Sequence, residues 1–174
     1  MRRHRTRGPR DVAVVLLLAP LLACSGPAPS GSGTLGAGEP DLHVSSAQAS
    51  SPIAGASQLV LAIENRGDGD DRLLGTESDA ALAVEIHRTV VEADGRAFMR
   101  MLDDVIVPAG GSVAFRPGGL HLMLVVPDER VTVGGTFEVT LRFERTGPLT
   151  VTVRVVDLLD LVESVPDDTG SKSR

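Results

Sequence analysis

Tryptophan and tyrosine are missing from this chain, and phenylalanine occurs only four times. Any core must therefore be assembled from Val, Leu, Ile and Ala. A single cysteine, Cys24, excludes a disulfide within the chain. Lysine is nearly absent too, with Lys172 the only one. No apolar run reaches the roughly 18–20 residues that a membrane-spanning helix needs. Positive charge is also scarce once the first 23 residues, with five arginines and one aspartate, are set aside. The remainder holds 12 basic and 22 acidic groups, a balance of −10. Such a chain will not bind nucleic acid through its phosphates, but it tolerates and mildly attracts cations.

What is present begins with an address. Arg2, Arg3, Arg5, Arg7 and Arg10 precede an apolar stretch from Val12 to Ala23, broken only by Pro20. This is the form of a signal peptide, here residues 1–23. It ends in Leu21-Leu22-Ala23-Cys24, which resembles a bacterial lipobox and implies lipidation of Cys24 and a cell-membrane anchor outside the cytoplasm. Residues 24–40 are dominated by Gly, Ser, Pro and Ala, with too little apolar surface to offset chain entropy, and are expected to be a flexible tether. Residues 158–174 are expected to be a mostly disordered tail, apart from a short docked turn near Leu158–Val162.

Between them, residues 41–157 read as one all-β domain. Short β-branched runs fall at 59–65, 82–91, 97–101, 104–107, 112–116, 121–126, 136–144 and 149–156. Gly, Pro, Asp and Asn separate them, and no helical period is sustained. Seven or eight such strands predict a β-sandwich or Greek-key barrel. Alternation assigns Leu82, Val84 and Ile86 to the core and Glu85 and His87 to the other face. In the same way Leu120, Leu122, Leu124 and Val126 point inward, while His121 and Met123 point away.

Methionine and histidine are used sparingly, then concentrated. Beyond Met1, the methionines are Met99, Met101 and Met123; beyond His4 and His43, the histidines are His87 and His121. Each alone would be ordinary. Two imidazoles and two thioethers together form an uncharged N2S2 set suited to Cu(I). Hard cations want oxygen ligands, and structural zinc wants thiolate or more nitrogen. Glu85, Asp94, Asp103, Asp104 and Asp128 are assigned to solvation at turns or surface. No nucleophile-elbow, zinc-hydrolase or phosphate-loop pattern occurs, so an enzyme is not expected.

VEIHRTVVEADGRAFMRM and the following DDVIVPAGGSVAFRPGGLHLML resemble the periplasmic copper chaperone family often called PCu(A)C, over about Leu59 to Val156. ENRGDGDDRLLG and LRFERTGPLTVTVRV are similar to the loop and closing hairpin of that family. The resemblance implies a cupredoxin-like fold and a Cu(I) site of His87, Met99, His121 and Met123. Met99 and His121 are separated by the family's twenty-one residues, whereas Met101 is separated from His121 by nineteen and ranks second. Eleven residues rather than the family's ten lie between His87 and Met99, and Leu59 and Leu120 stand where the family has aromatic residues. The resemblance further implies delivery of copper to cytochrome c oxidase subunit II, with a Sco-like thiol protein as a second partner. Copper sequestration for tolerance and a metal-free envelope interaction module are the alternatives.

Overall fold

The computed structural model describes residues 38–163. The expected signal peptide, Cys24, most of the tether and the end of the tail lie outside the described residues. The strands are β1 (Leu42–Ser50), β2 (Ala56–Asn65), β3 (Asp71–Glu77), β4 (Ala81–Val91) and β5 (Ala97–Met101). They continue as β6 (Val105–Val107), β7 (Ser112–Phe115), β8 (Leu120–Pro127), β9 (Thr136–Phe143) and β10 (Pro148–Val156), followed by a single short helix, α1 (Leu158–Glu163). Seven of the strands close into a barrel in the order β4-β8-β2-β1-β10-β9-β3 and back to β4. A bridge between Thr76 and Val84 makes the closure, reinforced by the Thr76 hydroxyl, which donates to the Val84 carbonyl at 2.8 Å. β5, β6 and β7 hang on β4, β3 and β2. The expected all-β, cupredoxin-like class is the one observed.

Alternation drives this architecture. Leu59, Leu61 and Ile63 of β2, Val84 and Ile86 of β4, and Leu122 and Leu124 of β8 all point into the barrel and are almost completely buried. Three of the four phenylalanines, Phe115, Phe137 and Phe143, join them; Phe98 does not and is 40% exposed. Each buried Leu or Ile side chain contributes about 1.5–3 kcal/mol, which is what holds neighbouring strands in register. Leu161 of α1 is fully buried.

Two inward assignments need correction. Leu82 is 78% exposed and Val126 is 60% exposed. The pairing of β8 with β2 ends at Val125, and Val126 then takes a left-handed φ of 49°, which turns the side chain away from the barrel. Leu82, at the start of β4, lies at the same open end.

β1 and β3 are additional to the strands expected from sequence. β1 is rich in Ser and carries a bulge between Ser45 and Gln48, so its alternation is broken, yet it pairs with β2 on one side and β10 on the other. β3 opens with Asp71, which the pattern assigns to a turn. Its fully buried carboxylate accepts the Thr146 hydroxyl at 2.6 Å and the backbone amides of Arg72, Arg145 and Thr146 at 2.7, 3.0 and 2.9 Å. Burial raises the pKa of this carboxyl, but the four donors outweigh it and hold it below the usual 3.8.

Asp71→Asn preserves the shape but removes the charge those donors address. A loss of about 2–3 kcal/mol in urea unfolding is expected. Because the folded pKa is depressed, the contribution is complete above pH 3.8 and drains away as pH falls through the folded value. Acid unfolding of the variant should therefore show a shallower dependence on pH below about 4 than the parent does.

Candidate metal centre

The antiparallel register of β4 with β8 sets Val84 opposite Leu124 and Ile86 opposite Leu122, both pairs inside the barrel. The alternate positions must then face outward, and they are Glu85 opposite Met123 and His87 opposite His121. β5 adds Met101 opposite His87 and Met99 opposite Thr89. Directly opposed residues share a face, so Met101, His87 and His121 form one cross-strand row on the outer wall. Met123 and Glu85 lie one row to one side of it. Met99 lies one row to the other.

The two rings meet edge to face, with centroids 5.9 Å apart and planes at 70°. His121 departs from the expected surface position: it faces away from the aliphatic core, yet it is fully buried. The His87 side chain is 14% exposed. The β5 thioethers are far more open, Met99 at 53% and Met101 at 61%, and Met123 is half-buried. The structure thus brings His87, His121 and Met101 into one row with Met123 beside it, and sets Met99 at the margin.

Each ring is oriented by an acceptor two residues earlier in the chain, Gly119 just before β8 for His121 and Glu85 on β4 for His87. Nδ1 of His121 lies 3.0 Å from the Gly119 carbonyl, which can only accept, so the proton sits on Nδ1. Nε2 of His87 lies 2.9 Å from a carboxylate oxygen of Glu85 and donates to it. The other nitrogens, Nε2 of His121 and Nδ1 of His87, are buried and have no hydrogen-bond partner. A buried ring nitrogen without a partner costs about 1–3 kcal/mol in the folded chain. Two of them, on adjacent rings that Glu85 and Gly119 already hold in place, fit a soft or borderline metal ion. Glu85 is therefore not a solvating surface charge but a mid-strand orienting group. The Glu-x-His spacing on one strand face is the signal that could have found it; the Gly119 carbonyl leaves no such trace.

Among the described residues, no group of three or more His, Cys, Asp or Glu side chains converges anywhere. The side chains nearest this pair of rings in register are the thioethers of Met101 and Met123 and the Glu85 carboxylate. Burial lowers the pKa of His121, the Gly119 hydrogen bond opposes this in part, and the neighbouring His87 lowers it further. The neutral ring is thus favoured.

The family described as "Putative lipoprotein LpqE-like" matches residues 41–155. The protein named "Putative lipoprotein Lxx21020" from Leifsonia xyli subsp. xyli (strain CTCB07) is 28% identical over 151 residues, covering 86% of this chain and 91% of that one. Among solved structures, the copper-bound PCuAC domain from PmoF2 superposes with a TM-score of 0.56 at 28% identity, over 67% of this chain and 92% of that one. The solution structure of CuI-DR1885 from Deinococcus radiodurans gives a TM-score of 0.54 over 76% of this chain and 85% of that one, and at 21% identity it speaks to the fold alone. No helix among the described residues is long and apolar enough to cross a membrane.

The lowered pKa of His121 carries a stability consequence with a definite sign. Below about pH 6.5 the unfolded chain takes up a proton that the native chain refuses, so stability is full above that value and falls as pH drops toward the lower folded pKa. Thermal unfolding of the metal-free chain between pH 8 and 5 should show this decline, and His121→Gln should flatten it. In the same samples, long-range ¹H–¹⁵N spectra should report His121 as the Nδ1–H tautomer. An Nε2–H form would contradict the orientation described above.

Proposed function

We propose, from the premise that the chain belongs to the LpqE-like family, that it is an extracytoplasmic copper carrier. Cu(I) is its cargo, held by His87 through Nδ1, His121 through Nε2, Met123 and a methionine of β5. The observation that carries this reading is the pair of buried, partnerless ring nitrogens on opposed residues of β4 and β8. The copper-bound relative of the same fold supports it, and so does the supply of thioethers around a pair of rings where, among the described residues, no group of three His, Cys, Asp or Glu could hold an ion. Neutral N2S2 donors favour Cu(I) over Cu(II) and over hard ions.

Spacing in sequence favours Met99 as the β5 ligand, whereas register favours Met101. Strands lie about 4.8 Å apart and rise about 3.4 Å per residue, so Met99 and Met123, two strands apart and level with Thr89 and Glu85 of β4, have Cα atoms roughly 17 Å from each other. Met101 and Met123 are only roughly 12 Å apart by the same reckoning. A methionine sulfur reaches about 4 Å from its Cα, and a metal–sulfur bond adds about 2.3 Å, so two thioethers can share one ion across no more than about 13 Å. Met101 falls within that limit. The extra residue in the EADGRAF hairpin, relative to the PCu(A)C pattern, would account for a change of methionine.

Nitrogen and sulfur play different parts in this reading. The two rings are buried and hydrogen-bonded in place, and so hold the ion; the β5 thioether is exposed, and so is the ligand that an acceptor displaces first. Transfer proceeds by ligand exchange at the open side, with no thiolate to lock the ion in. A copper centre such as that of cytochrome c oxidase subunit II, reached directly or through a Sco-like thiol protein, is the destination this reading assigns. A lipid on Cys24 would confine the carrier near membrane acceptors and raise its effective concentration there.

Residues 38–174 titrated with Cu(I) against a competing chelator should bind one ion per chain. His121→Ala and Met123→Ala should each weaken binding at least tenfold, about 1.4 kcal/mol. Met101→Ala should cost more than Met99→Ala; the reverse order would return the role to Met99. Unchanged affinity in all of these variants would remove the copper reading.

A further inference from the structure

β5 is the outermost strand of its path through the sheet and pairs with β4 alone, and all five of its residues are exposed. One face of the β4–β5 ribbon carries His87, Met99 and Met101. The opposite face carries Arg100 directly opposite Arg88, followed in the next row by Phe98 opposite Val90. Arg88 in turn stands opposite Leu120 of β8. Both arginines are exposed.

Six of the ten arginines among the described residues are held by carboxylates. Arg66, Arg72, Arg96, Arg130, Arg142 and Arg145 each meet a carboxylate within 4 Å. Among the described residues Arg88 and Arg100 meet none, which is also true of Arg154 on β10, but of these three only Arg88 and Arg100 stand opposite each other, although the chain beyond residue 23 has acidic groups in excess by ten. Even the carboxylates of the adjoining hairpin, Glu92 and Asp94, are taken by Arg96. Like charges opposed across a strand pair are destabilising. A single charge on β5 would suffice to discourage unwanted strand pairing, so that role does not account for Arg88. Beside the arginines, Phe98 is the only phenylalanine outside the core, at 40% exposure.

We propose that the β4–β5 ribbon is a docking surface for an acidic, strand-forming segment of the protein that exchanges copper with this one. The segment adds to the free edge of β5, its carboxylates meet Arg88 and Arg100, and an apolar side chain covers Phe98. Charge complementarity selects the partner: a second copy of this domain is itself strongly acidic overall but presents arginines here, so this face repels itself. An anionic membrane is the weaker fit, because basic segments that hold to lipid carry roughly four to eight cationic residues where this ribbon offers two. Position completes the argument. Docking on β5 places the partner one strand thickness from the exposed thioether of Met101, where ligand exchange would begin. The identification of the partner as a copper-exchanging protein rests on the copper reading above; the docking surface itself does not.

The test uses residues 38–174 and two short labelled peptides, each alternating a charged residue with Val around a Met-x-x-Met pair, one with Glu and one with Lys. In fluorescence anisotropy with metal-free protein at low salt, the Glu peptide should bind at least tenfold more tightly than the Lys peptide. The preference should shrink at about 0.5 M NaCl, where screening reaches within a few ångströms. It should vanish in the Arg88→Glu/Arg100→Glu double variant and survive in Arg88→Lys/Arg100→Lys. Amide shifts should concentrate in residues 97–101. With Cu(I)-loaded protein, metal should pass to the Glu peptide at least tenfold faster than to the Lys peptide, and the double variant should lose that difference while keeping its own Cu(I) affinity. Equal binding of the two peptides, or a preference that persists in the double variant, overturns the docking surface. Binding to phosphatidylglycerol vesicles that displaces the Glu peptide assigns the ribbon to lipid and overturns it as well. Preferential binding without faster transfer overturns the assignment to a copper-exchanging partner. Should the chain take up no Cu(I), the metal-free arm still decides the docking surface, so the two failures are separable.

Discussion

The register between β4 and β8 is the constraint on which the rest depends. Val84 against Leu124 and Ile86 against Leu122 are buried in the barrel. A slip of one residue in either strand would drive its two aliphatic side chains into water and draw its outward pair, Glu85 and His87 or His121 and Met123, into the core. The hydrophobic cost of that exchange, about 1.5–3 kcal/mol for each aliphatic side chain, is a fixing force for the outer face as much as for the inner one. His87 lies opposite His121 because leucine and isoleucine lie opposite each other one position away. The candidate site needs no scaffold of its own.

What that register leaves behind is an unsatisfied pair of nitrogens. One nitrogen of each ring is engaged, by the Glu85 carboxylate or the Gly119 carbonyl, and the remaining two are buried without partners. A folded chain that keeps such atoms forgoes stability. On the copper reading, any ion that binds the native state and not the unfolded chain returns that stability in proportion to its affinity. The same arrangement favours the neutral form of His121: burial and the neighbouring His87 both disfavour a charge on it. Orientation and protonation state thus come from one set of neighbours.

Much of this was legible in the chain. Alternation in HLMLVV and LAVEIHRTVV is enough to place the imidazoles and Met123 on the face opposite the aliphatic set, and Gly- and Pro-rich turns mark the strand ends. The legible part stops where period-two reasoning loses its footing. β1 has serines where alternation needs contrast, and its bulge breaks what remains. β3 begins with an aspartate that looks like a turn until the adjacent Arg72 amide and three donors from the distant Arg145–Thr146 turn converge on it. Alternation also cannot report cover: it assigns His121 to the outer face but says nothing of its complete burial there. Val126 fails for a different reason, since its left-handed backbone ends the pattern within the strand. As for Met99 and Met101, both lie on the same face at equal parity, and only the cross-strand pairing of the hairpin tells them apart.

The site is asymmetric in a way that bears on carriage rather than storage. Its nitrogens belong to strands inside the closed barrel, each flanked on both sides, whereas its outer sulfurs belong to a five-residue edge strand paired on one side only. A strand with one neighbour has half the backbone hydrogen bonds of an interior strand and opens at lower free-energy cost. On the copper reading, the ligands would then differ in how easily they let go by virtue of topology alone, before any difference between imidazole and thioether is counted. A cage in which all four ligands sat on interior strands would release its ion only by disturbing the barrel. Here the β5 thioether can swing clear while Ile86, Leu122 and Leu124 stay where they are, so the opening step leaves the hydrophobic core intact.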